Sequence, residues 1–285
     1  MSTRNYDLVV LGGGIGGYTA AIRAAQAGKT VALVEEDKLG GTCLHRGCIP
    51  SKSLLRSAEV FASAKSGSEY GVVAERVELD FSRVMRRKDE IVHQLHTGLE
   101  SLMKKNKIDV YRGRGRVIGP SIFSPRSGSV AIDADEELPT LTAKHTIIAT
   151  GSRPRMLPGW EADGEKVLTS DDALRMERLP ASMLIIGGGV IGVEWASMMN
   201  DFGVQVTIVE AAERLLPQED DDVSREMERM LAARGVTVLT RTSVVTESLD
   251  TSGGRVALRA LCEGEARDLT AEACLVAVGR QANTE

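Results

Sequence analysis

The chain has 285 residues, 42% of them hydrophobic and 26% charged, enough for about two compact domains at roughly 150 residues each. A net charge of −5 without a dominant Lys/Arg cluster argues against nucleic acid or an anionic membrane as partner, and no apolar run approaches the ~20 residues of a membrane span. Only a short stretch precedes the first apolar segment, leaving no room for a secretory leader, so the expected address is cytoplasmic; four cysteines are too few for a disulfide scaffold, so a close pair points to catalysis or metal binding.

The run Tyr6–Leu11 reads as a strand that ends in Gly12-Gly-Gly14-Ile-Gly-Gly17, followed by an Ala-rich helix from Tyr18 to Ala27 that Gly28 stops. A second strand, Thr30–Val34, carries Glu35 at its end. Asp80 to Lys105 reads as a long helix with Asp80 as N-cap and Phe81, Val84, Met85, Ile91, Val92, Leu95, Leu99 and Leu102 at helical spacing, expected to cover one sheet face. Asp109–Arg112 and Gly115–Ile118 are predicted extended, a polar stretch with Pro125 and Gly128 follows, and Thr146–Thr150 is predicted to be a buried strand ending at Gly151.

The opening pattern then recurs. Ser182–Ile186 is a strand, Gly187-Gly-Gly189-Val-Ile-Gly192 a turn, the next stretch a helix to about Phe202, and Val204–Val209 a strand with Glu210 at its end. The interval from first glycine to terminal acid is 23 positions in both copies. Asp220–Arg234 adds an amphipathic helix, Val236–Leu239 a strand, the segment around Ser252–Gly254 a hairpin, and Ala273–Val278 a last strand. The expected fold is α/β, with two Rossmann-like dinucleotide-binding domains in three layers and small β-hairpin additions.

Glycine is required in such turns because the turn is tight, the backbone must approach a pyrophosphate, and the helix must pack close to the strand. The helix N-terminus then faces the anion, and the carboxylate at the end of the next strand accepts hydrogen bonds from ribose hydroxyls. Gly12, Gly14, Gly17 and Glu35 form one candidate set; Gly187, Gly189, Gly192 and Glu210 form the other. An acid at the second site repels the 2′-phosphate of NADP, so Glu210 argues for NAD. Arg214, four residues on, is read as a solvated surface residue rather than a phosphate ligand.

Between the two turns stands Gly40-Gly-Thr-Cys43-Leu-His-Arg-Gly-Cys48-Ile-Pro-Ser-Lys52. A zinc site would have to recruit distant ligands, and Cys262 and Cys274 sit in predicted strands as core or edge residues. A disulfide carries a geometric condition: residues five apart on a regular helix have Cα atoms about 8–9 Å apart, beyond the roughly 7 Å that a disulfide tolerates. The segment must therefore leave helical geometry between the cysteines, and Gly47 together with Pro50, which disfavours helix at Ile49, is expected to supply the break.

With the Gly12–Gly17 turn, this cysteine stretch, Ala149-Thr-Gly151, the GGGVIGVE stretch ending at Glu194, and Val278-Gly-Arg280 in order, the chain resembles the FAD-dependent pyridine nucleotide-disulfide oxidoreductases along essentially its whole length. Residues 43–61 are most similar to the dihydrolipoamide dehydrogenases; glutathione and mercuric reductases are the alternative within the class. The resemblance implies FAD and NAD as cofactors and a redox-active Cys43–Cys48 pair, Cys43 as interchange thiol and Cys48 as the sulfur nearest the flavin. It implies Lys52 beside the flavin in a buried pair with Glu194, and cofactor-binding positions at Gly41, Thr42, Gly115, Thr150, Gly151, Ser152, Val244 and Gly279. It implies no metal site.

The same resemblance divides the chain into an FAD-binding domain at 1–151, an NAD-binding domain at 152–281 and the start of a returning FAD segment at 282–285. The implied partner is the lipoyl domain of a 2-oxo acid dehydrogenase complex, with a homodimer expected for the full-length protein. Relatives continue past this point, so a chain of this length is expected to fall short of full turnover; a non-catalytic nucleotide-binding fragment is the reading of another class. His45 stands where many relatives have asparagine and reads as an exposed turn residue; His93, His96 and His145 are assigned surface or packing roles.

Overall fold

Strand β1 (Thr3–Leu11) is apolar to its end because both of its faces are covered: neighbouring Val9 and Val10 point to opposite sides and neither retains exposed surface. It belongs to a computed structural model that describes residues 2–119, 128–135 and 138–285, so Pro125 of the expected polar stretch lies outside the described residues. The chain divides into two units, one comprising Met1–Ile49, Glu90–Ser152 and Ala282–Glu285, the other Pro50–Asp89 and Arg153–Gln281.

In the first unit β1 is followed by α1 (Ile15–Gln26), β2 (Val31–Glu35), α2 (Gly41–Arg46) and the start of α3 (Cys48–Lys65); α4 (Phe81–Lys105) then leads into β3 (Asp109–Arg112), β4 (Arg114–Ile118), β5 (Ser129–Asp133) and β6 (Thr140–Ile148). The sheet order is β3-β2-β1-β6-β5-β4. The first four strands are parallel, whereas β5 pairs antiparallel with both β6 and β4. Strand order reverses at β1, so the C-terminal ends of β1 and β6 flank a crevice, the place where open α/β sheets bind ligands.

In the second unit, β7 (Ser152–Pro154) has begun at the boundary, and β8 (Val167–Leu168), α5 (Ser170–Ala173), β9 (Ser182–Ile186), α6 (Val190–Asp201), β10 (Gln205–Val209), α7 (Asp221–Ala233) and β11 (Thr237–Leu239) follow. Next come β12 (Thr242–Val244), β13 (Val256–Cys262), β14 (Glu265–Ala271), β15 (Ala273–Val276) and β16 (Arg280–Ala282). A parallel sheet has the order β11-β10-β9-β15-β8, and β12-β13-β14 form an antiparallel sheet. The reversal point here lies between β9 and β15.

The two glycine turns are near-copies. Gly12 and Gly187 adopt φ +98° and +110°, and a Cβ on either would lie 2.2 or 2.4 Å from the carbonyl oxygen of Ala149 or Ala277. A Cβ on Gly17 or Gly192 would lie 1.8 or 1.9 Å from the carbonyl oxygen of its own first glycine. Glycine inside a helix costs about 1 kcal/mol relative to alanine. Here it is required, because helix and strand could not approach so closely with any side chain between them.

Some expectations are corrected. The strand predicted at Thr146–Thr150 begins earlier, ends at Ile148 and is not buried: Ile148 is 66% exposed. Helix α4 has Asp80 as N-cap, its carboxylate accepting from Arg83 N at 3.0 Å. Only its C-terminal half, through Leu99 and Met103, packs in the first unit's core, while Phe81, Val84 and Met85 join the core of the second, and Leu95 and Leu102 are exposed. Beyond the turn at Ser252–Gly254, which is closed by reciprocal bonds between Asp250 and Ala257, the main hairpin turn is Glu263-Gly264. Both its residues have positive φ, a tight two-residue turn. No helix among the described residues is long and apolar enough to cross a membrane.

The glycine contacts separate packing from ligand space. Gly192→Ala should cost about 1–3 kcal/mol through overpacking, whereas Gly189→Ala, whose Cβ meets nothing within 4 Å, should cost under about 1 kcal/mol. Urea unfolding of the two variants checks this, and equal losses would contradict it.

Candidate functional site

Each glycine turn is braced by the acid at the end of the following strand. Glu35 Oε2 accepts from Gly13 N at 2.6 Å and its Oε1 accepts from Asp37 N at 2.8 Å. Glu210 repeats the arrangement, with Oε2 accepting from Gly188 N and Oε1 from Ala212 N at 2.7 Å. A carboxylate has about four lone-pair directions, so each acid keeps acceptor capacity after fixing its turn. The middle glycines are open: a Cβ on Gly14 would come no nearer than 3.9 Å to Gly41 Cα, and one on Gly189 meets nothing within 4 Å. Open space thus lies at the amino ends of two twelve-residue helices, where unpaired N–H groups and the positive dipole end favour an anion. The residues fit a dinucleotide at both turns.

In the second unit this space widens into a cavity of about 760 Å³, bordered by Gly187, Gly189, Glu210, Val244 and Gly279. Sequence reasoning missed the rest of its wall: Arg155–Pro158 on one side and Leu216–Glu219 on the other. The second wall is held to the glycine turn by Leu216 N donating to Gly188 O at 2.8 Å, and to α7 by Leu215 N donating to Glu228 Oε1 at 2.9 Å. The available signal was the apolar pair Leu215-Leu216 in a charged stretch. Gly192 is a packing residue beneath the turn.

In the first unit a smaller cavity, about 120 Å³, is bordered by Gly12, Glu35, Gly115, Thr150 and Asn283. Gly115 admits Leu11 there, since a Cβ would lie 2.6 Å from Leu11 Cδ2. Asn283 N donates to Gly151 O at 3.0 Å, its Nδ2 donates to Thr150 O at 3.0 Å, and Thr150 Oγ1 donates to Asn283 O at 2.5 Å.

The cysteine segment packs on the first glycine turn. Gly40 N donates to Gly13 O at 2.8 Å, and a Cβ on Gly41 would lie 2.7 Å from Gly14 Cα, so α2 begins beside the start of α1. Thr42 and Cys43 are half-buried on α2, and Cys48 is exposed at the start of α3. The helix breaks between the cysteines, at Gly47 alone, with φ −154° and ψ −114°. Gly47 folds back so closely that a Cβ would meet Thr42 O at 3.1 Å and Cys43 Cα at 3.6 Å. Pro50 is not the breaker: Ile49 is helical, and Pro50 occupies the first turn of α3, where the missing N–H has no intrahelical partner to lose. Burial and then the negative charge of the Cys43 thiolate push the Tyr18 phenol up. Cys262 is half-buried, and Cys274 is buried with its thiol pushed up to about 12 by that burial.

Lys52 Nζ donates to Glu194 Oε1 at 2.7 Å, but the pair is not buried: the side chains are 57% and 27% exposed. Solvent screening leaves such a pair worth about 0–1 kcal/mol, so it orients the ammonium more than it stabilises the fold.

His45 is not an exposed turn residue. It lies on α2, half-buried, with Nε2 2.8 Å from Leu39 O. His96 Nδ1 is 3.0 Å from the same carbonyl, the two rings stand edge to face at 5.1 Å, and Glu100 lies 3.5 Å from His96 Nε2. His96 therefore has the carboxylate neighbour that the sequence did not reveal. Desolvation holds the His45 pKa below the ordinary 6.5, outweighing the Leu39 carbonyl, so His45 is neutral at neutral pH and supplies no positive charge to a thiolate. Arg46 pairs with Asp37 at 3.4 Å.

A family model described as pyridine nucleotide-disulphide oxidoreductase matches residues 6–285. The chain is 54% identical over 282 residues to a dihydrolipoyl dehydrogenase of Bacillus subtilis, covering 98% of this chain and 60% of that protein. It is 39% identical to one of Acholeplasma laidlawii, covering 99% and 81%. Among solved structures, the HOCl-induced flavoprotein disulfide reductase RclA of Escherichia coli, in its Cu(II) complex, superposes with a TM-score of 0.80 at 31% identity over 99% of this chain and 58% of that one. LpdA of Mycobacterium tuberculosis superposes at 0.87 and 25% over 100% and 60%. The chain thus spans about 60% of the length of the Bacillus relative.

The His45 shift carries a sign. The unfolded chain takes up a proton near 6.5 while folded His45 resists until a lower pH, so stability falls as pH drops through that window and is recovered above it. His45→Gln should flatten the loss between about pH 7 and 5.5, measured as thermal midpoint against pH, and the His45 ring should titrate below 6.5 by NMR. A midpoint above 6.5 would contradict the desolvation account.

Proposed function

Because the chain belongs to the pyridine nucleotide-disulphide oxidoreductase family, we propose that it carries the dithiol and dinucleotide machinery of a dihydrolipoamide dehydrogenase. The observation that carries this reading is the combination of two near-identical cradles, each braced by a carboxylate, with a cysteine pair split by a single helix break packed on the first cradle. FAD is assigned to the Gly12–Gly17 cradle and NAD to the Gly187–Gly192 cradle; when bound, FAD supplies two-electron exchange between the dithiol and NAD. The remaining cofactor positions are those carried by the resemblance: Gly41, Thr42, Lys52, Gly115, Thr150, Gly151, Ser152, Glu194, Val244 and Gly279.

The chain's own part of the chemistry is thiol exchange and alignment. With the pair oxidised, a dihydrolipoamide thiolate attacks Cys43 Sγ, the Cys43–Cys48 bond breaks, and Cys48 leaves as thiolate. The second dihydrolipoamide thiol then displaces Cys43 from the mixed disulfide, so dihydrolipoamide is oxidised to lipoamide and the two cysteines hold the electron pair. Lys52, oriented by Glu194, supplies positive charge on α3 one turn beyond Cys48. The N-termini of α1 and α6 hold pyrophosphates, and Glu35 and Glu210 hold ribose hydroxyls. The proposed partner is the lipoyl domain of a 2-oxo acid dehydrogenase complex, in the cytoplasm, with the full-length protein a homodimer.

The reverse exchange needs no cofactor and tests the assignment. An acyclic dialkyl disulfide, whose leaving thiol departs and cannot displace Cys43 again, added in excess to the reduced Cys48→Ser chain should leave a stable mixed disulfide at Cys43, located by peptide mass spectrometry, whereas Cys43→Ser should give none. An unmodified Cys43, or adducts on Cys262 or Cys274 instead, would overturn the role of the pair.

A further inference from the structure

Discrimination between dinucleotides usually turns on one acid, but two arginines able to neutralise a 2′-phosphate are attached to segments that border the Glu210 end of the second unit's cavity, although neither lines it. Arg214 follows Glu210 by four residues. Its guanidinium donates to Pro217 O at 3.3 Å and Glu219 O at 3.2 Å and is ion-paired with Asp221, the first residue of α7. Pro217 and Glu219 themselves line the cavity. Arg241, whose neighbour Thr242 donates its amide to Glu210 O at 2.9 Å, is directed to Glu213 at 3.9 Å and Glu263 at 3.5 Å. Glu210, by contrast, has no ion pair among the described residues; its oxygens are held by Gly188 N and Ala212 N. A cation that suits bidentate phosphate recognition is thus bonded behind the cavity wall, to the carbonyls of two residues that form it, and sequestered there.

We propose that Arg214 is a specificity-determining residue: Asp221 and the loop carbonyls hold it away from the ribose position at Glu210, so a 2′-phosphate meets an uncompensated carboxylate. Rejection of the phosphorylated dinucleotide then has two parts, repulsion by Glu210 and sequestration of Arg214. Removing the first does not by itself create a phosphate site, because the arginine remains committed to Asp221. Selectivity is a difference of two affinities, and withholding an attractive group from the wrong ligand widens it as effectively as adding repulsion. The inference rests on the reading of this cavity as an NAD site.

The test is the affinity of the chain for NADH and NADPH by fluorescence titration. Glu210→Gln keeps an acceptor for the glycine turn while removing the charge, and is expected to weaken NADH binding with little gain for NADPH. Adding Asp221→Asn should then raise NADPH affinity by about tenfold, the scale of one charge-assisted contact, and adding Arg214→Ala to that pair should abolish the gain. Asp221→Ala and Glu210→Ser provide the same series if a first variant melts early by circular dichroism. NADPH affinity that does not rise when Asp221 is replaced, or a gain that survives loss of Arg214, overturns the inference while leaving the NAD reading intact. If the unaltered chain binds no NADH, the NAD reading fails and the inference fails with it.

Discussion

Each unit depends on a close approach between a helix glycine and the carbonyl oxygen of the glycine that follows the preceding strand. Gly17 against Gly12, and Gly192 against Gly187, leave under 2 Å for any Cβ. That contact sets how near the helix axis lies to the sheet, and hence where its free N–H groups point. The strand-end carboxylate completes the arrangement, since Glu35 and Glu210 hold the second glycine amide and so fix the peptide that faces the ligand. A packing constraint and a hydrogen bond thereby preorganise an anion site before any ligand arrives, which lowers the ordering cost of binding.

The cysteine segment depends on the same contact. Gly40 and Gly41 lie against the first turn at distances that only glycine permits, so α2 is positioned by the cradle. One residue, Gly47, then separates α2 from α3, and its backbone returns onto Thr42 and Cys43. Thiol chemistry and nucleotide binding are in this sense one construction. On α3, Lys52 is one turn beyond Cys48, and its ammonium is held by Glu194.

Features with a short-range physical cause were legible in the sequence. Both strand–turn–helix–strand repeats could be read, because a glycine pattern, an apolar run and a terminal acid at a fixed interval each reflect local sterics; so could the need for a helix break between the cysteines. What escaped depends on contacts between distant residues. The loop Leu216–Glu219 became a cavity wall through bonds to Gly188 and α7, and His45 was drawn inward by Leu39 and His96, the latter some fifty residues away in sequence. Arg214 looked like a solvated side chain because its carbonyl partners lie on a turn whose path the sequence does not disclose, and its carboxylate partner Asp221 on the helix after it. Pro50 shows the opposite error: a residue that ends helices elsewhere here sits in a first turn, where it is tolerated.

The central claim is that two separate glycine turns, alike in geometry, each receive a dinucleotide in the same way. A crystal structure of this chain grown with FAD and NAD tests it most directly. The account predicts pyrophosphate density against the amides following Gly14 and Gly189, with ribose hydroxyls on the free lone pairs of Glu35 and Glu210. Nucleotide bound away from either turn, or a ribose that does not engage its acid, would contradict it.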